Sequence, residues 1–125
     1  MENCEVHYHE NGNKYYEFYF LNEKPHREDG PVYIEYYVWG EKQIEHYIIH
    51  GKFHRDDGPV TICYWPNGNV REERYYIKGK QHRTDGPAEI EYNEGGEIIR
   101  QTYYLNGQEY DPFKWMVEIG SAKEK

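Results

Sequence analysis

Apolar and polar residues alternate along this chain in short stretches broken by glycine-containing turns. The columns Cys4/Val32/Val60/Ala88, Val6/Ile34/Ile62/Ile90 and Tyr8/Tyr36/Tyr64/Tyr92 alternate with Glu5, Tyr33, Glu35, Thr61, Glu89 and Glu91. Period-two alternation marks a strand with one buried face. A second set of strands carries Tyr19/Tyr47/Tyr75/Tyr103 and Leu21/Ile49/Ile77/Leu105 on one face and Phe20/Ile48/Tyr76/Tyr104 on the other. Between the two sets lie Asn11-Gly12, Trp39-Gly40, Asn67-Gly68 and Gly95-Gly96, where Asn-Gly or Gly-Gly supplies the positive φ angles of tight hairpins.

The columns recur every 28 residues, and so does His-Arg-x-Asp-Gly-Pro, at residues 26–31, 54–59 and 82–87. Glycines hold the same register at Gly12/Gly40/Gly68/Gly96 and at Gly51/Gly79/Gly107. In the link between units, Asp-Gly makes a turn and Pro, lacking an amide donor, suits a strand's first residue. Short links make antiparallel neighbours. The expected fold is therefore all-β: an antiparallel meander of about eight strands built from 28-residue β-hairpin repeats, with a short C-terminal capping helix. The strands are expected near 4–9, 15–21, 31–37, 43–49, 59–65, 71–77, 87–93 and 98–105. Residues 1–110 form the repeat array and 111–125 the capping helix and tail. In that tail, Asp111 is the N-cap and Pro112 the first helical residue, and Phe113, Met116 and Val117 form an i, i+3, i+4 stripe ahead of Gly120. The stripe is expected to pack on the last repeat.

Composition sharpens this picture. Only 37% of residues are hydrophobic but 18% are aromatic, including 15 tyrosines, so the core must be built largely from tyrosine rings. The formal charge of −8 repels phosphate backbones and anionic headgroups, so neither nucleic acid nor membrane is expected as a partner. No apolar run reaches the roughly 18 residues of a spanning helix, and the start carries no basic-then-apolar signal pattern. The expected location is the cytoplasm. Cys4 and Cys63 fall on opposite strand faces and are not expected to bridge.

Candidate chemistry sits in three places. His26, His54 and His82 recur two strands apart, about 9.5 Å, too far to share one metal ion. Arg27, Arg55 and Arg83 either pair with the aspartate two residues on or present forked donors to an anion. Glu17, Glu45 and Glu73, with Gln101 in the fourth copy, are repeated, whereas a catalytic site is usually unique; they are expected to accept bonds from tyrosine hydroxyls, Arg or Lys. Specific function should reside in non-repeated residues: Trp39 and Trp65 at the hairpin tips, Phe53, and Tyr33, Tyr37 and Trp65 on the face opposite the repeated columns. No catalytic triad, phosphate loop or zinc spacing is present, so neither enzyme activity nor a metal or other cofactor is expected.

The hairpins with Tyr-Tyr, Asn-Gly or Lys-Gly, and Asp-Gly-Pro resemble the MORN-variant repeats of the YwqK-like, antitoxin-labelled proteins, over about residues 4–110. The longer His-Arg-x-Asp-Gly-Pro form is similar to arrays encoded in large DNA viruses, phages and some bacteria. The resemblance implies β-hairpin repeats used for binding, without shared catalytic residues, in a setting such as immunity or counter-defence, and in the host cytoplasm if the chain is viral. The expected function is that of a non-enzymatic protein-interaction module. The alternative is a sequestering protein that stacks a base on its aromatic face and holds phosphate with turn arginines, as for a nucleotide signal. Strand 4–9 leaves a homodimer open beside a monomer.

Overall fold

The computed structural model describes residues 3–123, with side chains through residue 120. Its strands are β1 (Asn3–Tyr8), β2 (Lys14–Leu21), β3 (Lys24–Pro25), β4 (Tyr33–Tyr36), β5 (Lys42–His46), β6 (Ile48–Ile49), β7 (Lys52–Phe53), β8 (Thr61–Tyr64), β9 (Val70–Arg74), β10 (Tyr76–Ile77), β11 (Lys80–Gln81), β12 (Glu89–Tyr92), β13 (Ile98–Leu105) and β14 (Gln108–Tyr110). One helix, α1 (Pro112–Lys123), follows. The main sheet runs β1-β2-β4-β5-β8-β9-β12-β13-β14, every neighbour antiparallel, which is the expected meander.

Two local features differ from the sequence reading. At the hairpin tips only the glycines adopt positive φ, for example Gly12 at 91° and Gly40 at 104°. The bonds His9 N–H to Asn13 C=O and Gly12 N–H to His9 C=O describe a three-residue loop whose last residue is left-handed, followed by a bulge that shifts the register between His7 and Tyr8. That geometry asks for glycine at one position only, which is why Trp39 stands where the first and third tips have Asn.

The second difference lies in the links. The return strand does not run unbroken to residues 49 and 77; it stops at Tyr47 and Tyr75 and refolds into the small hairpins β6–β7 and β10–β11. Their turns place two successive residues left-handed, His50 and Gly51 at φ 51° and 76°, and Lys78 and Gly79 at 50° and 84°. Asn22-Glu23 and Asn106-Gly107 do the same at β2–β3 and β13–β14.

The sheet has one packed face. Val32, Val60 and Ala88 are fully buried there, with Ile34 and Ile90 nearly so. Ile62, in the same column as Ile34 and Ile90, is half-buried. The His-Arg-x-Asp-Gly loops cover this face, because Arg27, Arg55 and Arg83 lie over the rings of Tyr19, Tyr47 and Tyr75, each 3.9 Å from the ring centroid. The last unit has Asp111 at the arginine position, and Trp115 of α1 takes the place over Tyr103 at 4.8 Å.

The helix starts as expected: the Asp111 carboxylate accepts from Lys114 N–H at 2.9 Å. Its buried stripe is not the expected one. Trp115 and Ile119 face the sheet, while Phe113, Met116 and Val117 are 71%, 59% and 51% exposed, and the helix continues through Gly120. The tyrosine ring left bare by Asp111 selects Trp115, and Ile119 follows one turn on.

Candidate protein-interaction face

The packed face is built from residues that each unit repeats. Tyr36, Tyr64 and Tyr92 donate their hydroxyls to Glu17, Glu45 and Glu73 of the preceding unit. Lys14 and Lys42 reach the same glutamates, Glu17 and Glu45, at 2.9 and 3.3 Å. Burial pushes Glu17 up, but bonds from Tyr36, Tyr19 and Lys14 outweigh it and hold the carboxyl at about 2. Burial, together with the carboxylates, pushes the Tyr36, Tyr64 and Tyr92 phenols well up. These glutamates accept from tyrosine hydroxyls, as the sequence suggested, and their geometry ties one unit to the next.

The loop residues Arg27, Arg55 and Arg83 are engaged in the same manner. Each donates to the carbonyl of the loop's closing proline, Pro31, Pro59 or Pro87, at 3.2, 3.0 and 3.0 Å. Each also pairs with the aspartate two residues on, at 3.5, 3.2 and 2.8 Å. His54 and His82 accept through Nδ1 from the amides of Lys78 and Asn106 in the next small hairpin. His54 Nε2 then meets Asp56 at 2.9 Å, and His26 Nε2 lies 3.9 Å from Glu28. Grooves of about 460 and 360 Å³ run between successive loops, with Tyr47 or Tyr75 at the base and exposed Asp56 and Asp57 on the rim. The arginines in them turn toward rings and carbonyls, and the rim is acidic.

The opposite, open face differs from unit to unit. Down one column stand Tyr16, Ile44, Glu72 and Arg100; down another Phe18, His46, Arg74 and Thr102; down a third Glu5, Tyr33, Thr61 and Glu89. The N-terminal half therefore carries rings and the C-terminal half carries ion pairs. In the latter, Arg74 pairs with Glu72 at 2.9 Å, and Arg100 reaches Glu89 and Glu91 at 3.4 and 2.7 Å.

The rings form one connected row. His7 stacks on Tyr16 at 4.5 Å, Tyr16 meets Tyr33 at 5.7 Å, Tyr33 meets His46 at 5.9 Å, and Phe53 links His46 to Tyr76 at 5.6 and 5.5 Å. Offset and tilted contacts at these separations are the favourable ones for aromatic pairs. Beside the row lie two depressions of about 280 and 230 Å³ that share Ile44, His46 and Cys63. Burial pushes the His46 imidazole down, and its Nδ1 meets Thr61 Oγ1 at 2.9 Å. Burial also pushes the Cys63 thiol up.

The five aromatic residues singled out in the sequence separate into three roles. Tyr33 and Phe53 are members of the row. Tyr37 and Trp65 donate to the carbonyls of Tyr64 and Tyr92, 27 residues on, and so help fasten neighbouring hairpin tips. Trp39 is 48% exposed and stacks on Tyr37 at 4.4 Å. Sequence reasoning left His7, Tyr16, His46 and Tyr76 out of the candidate set. Their signal was available, since they occupy columns in which the units disagree. Cys4 and Cys63 are both free thiols. Among the described residues no helix is long and apolar enough to cross a membrane. No family model, curated protein or solved structure matches this chain.

Proposed function

We propose that this chain is a non-enzymatic protein-interaction module whose partner docks on the aromatic half of the open face. The observation that carries this reading is the row from His7 to Tyr76: rings in mutual contact, half-buried from Tyr16 onward, at positions where the units differ. Aromatic side chains dominate the energetics of protein interfaces. The −8 charge steers a basic partner toward the chain. A setting in immunity or counter-defence rests on the resemblance to MORN-variant arrays.

A second reading, capture of a small phosphorylated ligand, draws on the two grooves that hold Arg27, Arg55 and Arg83. It ranks below the first, because a phosphate there must displace each guanidinium from its tyrosine and proline partners and pass an acidic rim.

Tagged protein incubated in lysate of its own source cells, followed by mass spectrometry of captured proteins and released small molecules, tests both. A protein captured by the wild type and by Arg100→Ser, but lost with folded Tyr33→Ser and Phe53→Ser, supports the first reading. A phosphorylated small molecule lost with Arg55→Ala, and no protein partner, overturns it in favour of the second.

A further inference from the structure

β1 is the terminal strand of the sheet, with β2 on one side only. Its backbone is prepared to pair on the other. His9 spends both its backbone groups on its own hairpin, so strand alternation turns those of Tyr8 and Val6 outward. In the next unit the carbonyl of Val32, the copy of Cys4, accepts from Tyr19 N–H of the preceding strand at 2.7 Å, while the Val32 N–H donates to the His46 carbonyl of the following strand at 2.8 Å. Of the usual guards of an edge, β1 carries only the charge of Glu5. It holds no lysine or proline, and the extra residue of its bulge, Tyr15, lies in β2. At the other end of the sheet β14 covers only Tyr103–Leu105 of β13, with α1 packed against both, and the first half of β13 has a neighbour on one side only.

One side chain of β1 lacks the neighbour that its copies have. Tyr36, Tyr64 and Tyr92 each donate to a glutamate of the strand before them; Tyr8 occupies their column and is 61% exposed. Glu5 and His7 stand on the open face, half exposed, one on each side of Val6, and lie 3.5 Å from each other.

We infer that β1 docks on β1 of a second copy, the two strands antiparallel about a two-fold axis through Val6. This register sets Val6 against Val6, Tyr8 against Cys4 of the partner, and Glu5 against His7 of the partner, so opposite charges face across the seam when the imidazole is protonated. Outward backbone groups on both copies are then satisfied. The axis stands perpendicular to the sheet, so the open faces of both copies look the same way. Each ring row ends at His7 beside the axis, and the dimer joins the two rows into one surface twice as long. The pairing stands on the strand edge alone. Only this doubled surface rests on the proposed function, and the experiment below reads the pairing with no partner present.

The probe is the full chain alone, measured by light scattering after size exclusion over a wide concentration range. The expected result is a rise from 15.2 kDa to twice that mass. Val6→Pro removes one outward donor and leaves the bonds to β2 in place, since proline is tolerated where an edge amide faces solvent. It is expected to stay monomeric with an unchanged melt. In a second arm that does not depend on proline being accommodated, Tyr8→Cys in a Cys63→Ser background is oxidised with diamide. Directly opposed residues lie about 5.5 Å apart, within disulfide reach, so Cys4 should link to the partner's position 8 and give a covalent dimer. A wild type that is monomeric throughout, a dimer that a folded Val6→Pro leaves intact, an open-ended polymer, or a folded Tyr8→Cys chain that does not crosslink each overturns the proposal.

Discussion

The guanidinium of Arg55 lies over the ring of Tyr47, 3.9 Å from its centroid, and donates at 3.0 Å to the carbonyl of Pro59, the residue that closes the same loop. One side chain thereby fastens a loop to the sheet it covers. A cation over an aromatic ring is worth about 0.5–2 kcal/mol, and a hydrogen bond about 1 kcal/mol net. Arg55→Ala should lower stability by about 1–3 kcal/mol, read from the urea midpoint. Arg55→Lys should recover little, because an ammonium offers neither the planar stack nor the fork. Calorimetry of the wild type with nucleotides and cyclic dinucleotides should show no heat; heat that disappears in a folded Arg55→Ala would restore the sequestering reading.

Gly58 belongs to the same arrangement. Its φ is not positive, so its need is space: a Cβ there would stand 2.8 Å from the guanidinium carbon of Arg55. Gly58→Ala should therefore act by dislodging Arg55 and cost about as much as Arg55→Ala. The double variant should cost little more than either single one, a strong departure from additivity in a double-mutant cycle. Additive losses would show that Gly58 matters for another reason.

These contacts also mark what the sequence could and could not convey. The meander was legible because the period-two columns return every 28 residues, and the loop arginines could be paired with Asp29, Asp57 and Asp85 because only two residues separate them. The stacks on Tyr19, Tyr47 and Tyr75 were not legible, since nothing local says which ring a loop folds onto. The small hairpins were obscured because His50 and Lys78 adopt left-handed backbone, an uncommon conformation outside glycine. The helix stripe was misread because α1 has apolar residues on two sides. Its real signal was Asp111 in the arginine column, which leaves Tyr103 without a cover. On the open face Tyr33 could be chosen by strand parity, whereas the row through His7, Tyr16, His46 and Tyr76 depends on register between strands.

Acid should loosen the array at Glu17. Its carboxyl titrates at about 2 in the folded chain, against roughly 4.3 for an unfolded glutamate. A depressed folded value means that the stabilisation is present above the unfolded value and is lost as pH falls from about 4.3 toward 2. At 1.36 kcal/mol per unit, the loss is about 3 kcal/mol. Glu17→Gln should be less stable than the wild type at neutral pH and flatter below pH 4.3. Thermal melts of both chains at pH 7, 4 and 2.5 check this, and parallel curves would remove Glu17 as the source.

The helix offers the sharpest contrast between exposed and buried apolar residues. Ile119 is only 9% exposed, and Trp115 covers Tyr103 while its indole N–H donates to the carbonyl of Arg83 at 3.1 Å. Truncating either removes the contact that holds α1 to the final unit, so Ile119→Ala and Trp115→Ala should each cost about 2 kcal/mol, near the lower end for buried large-to-small changes. Phe113, Met116 and Val117 are larger in sum but face solvent, and Phe113→Ala should change stability by less than about 0.5 kcal/mol. The loss in the first pair should begin at the C-terminal end, because the stacking arginines of the earlier units are untouched. Hydrogen exchange should therefore show β13 and β14 losing protection before β4 and β5 in Trp115→Ala. A uniform loss across all units would mean that the sheet unfolds as a single cooperative block, and that α1 stabilises the whole array rather than its last unit.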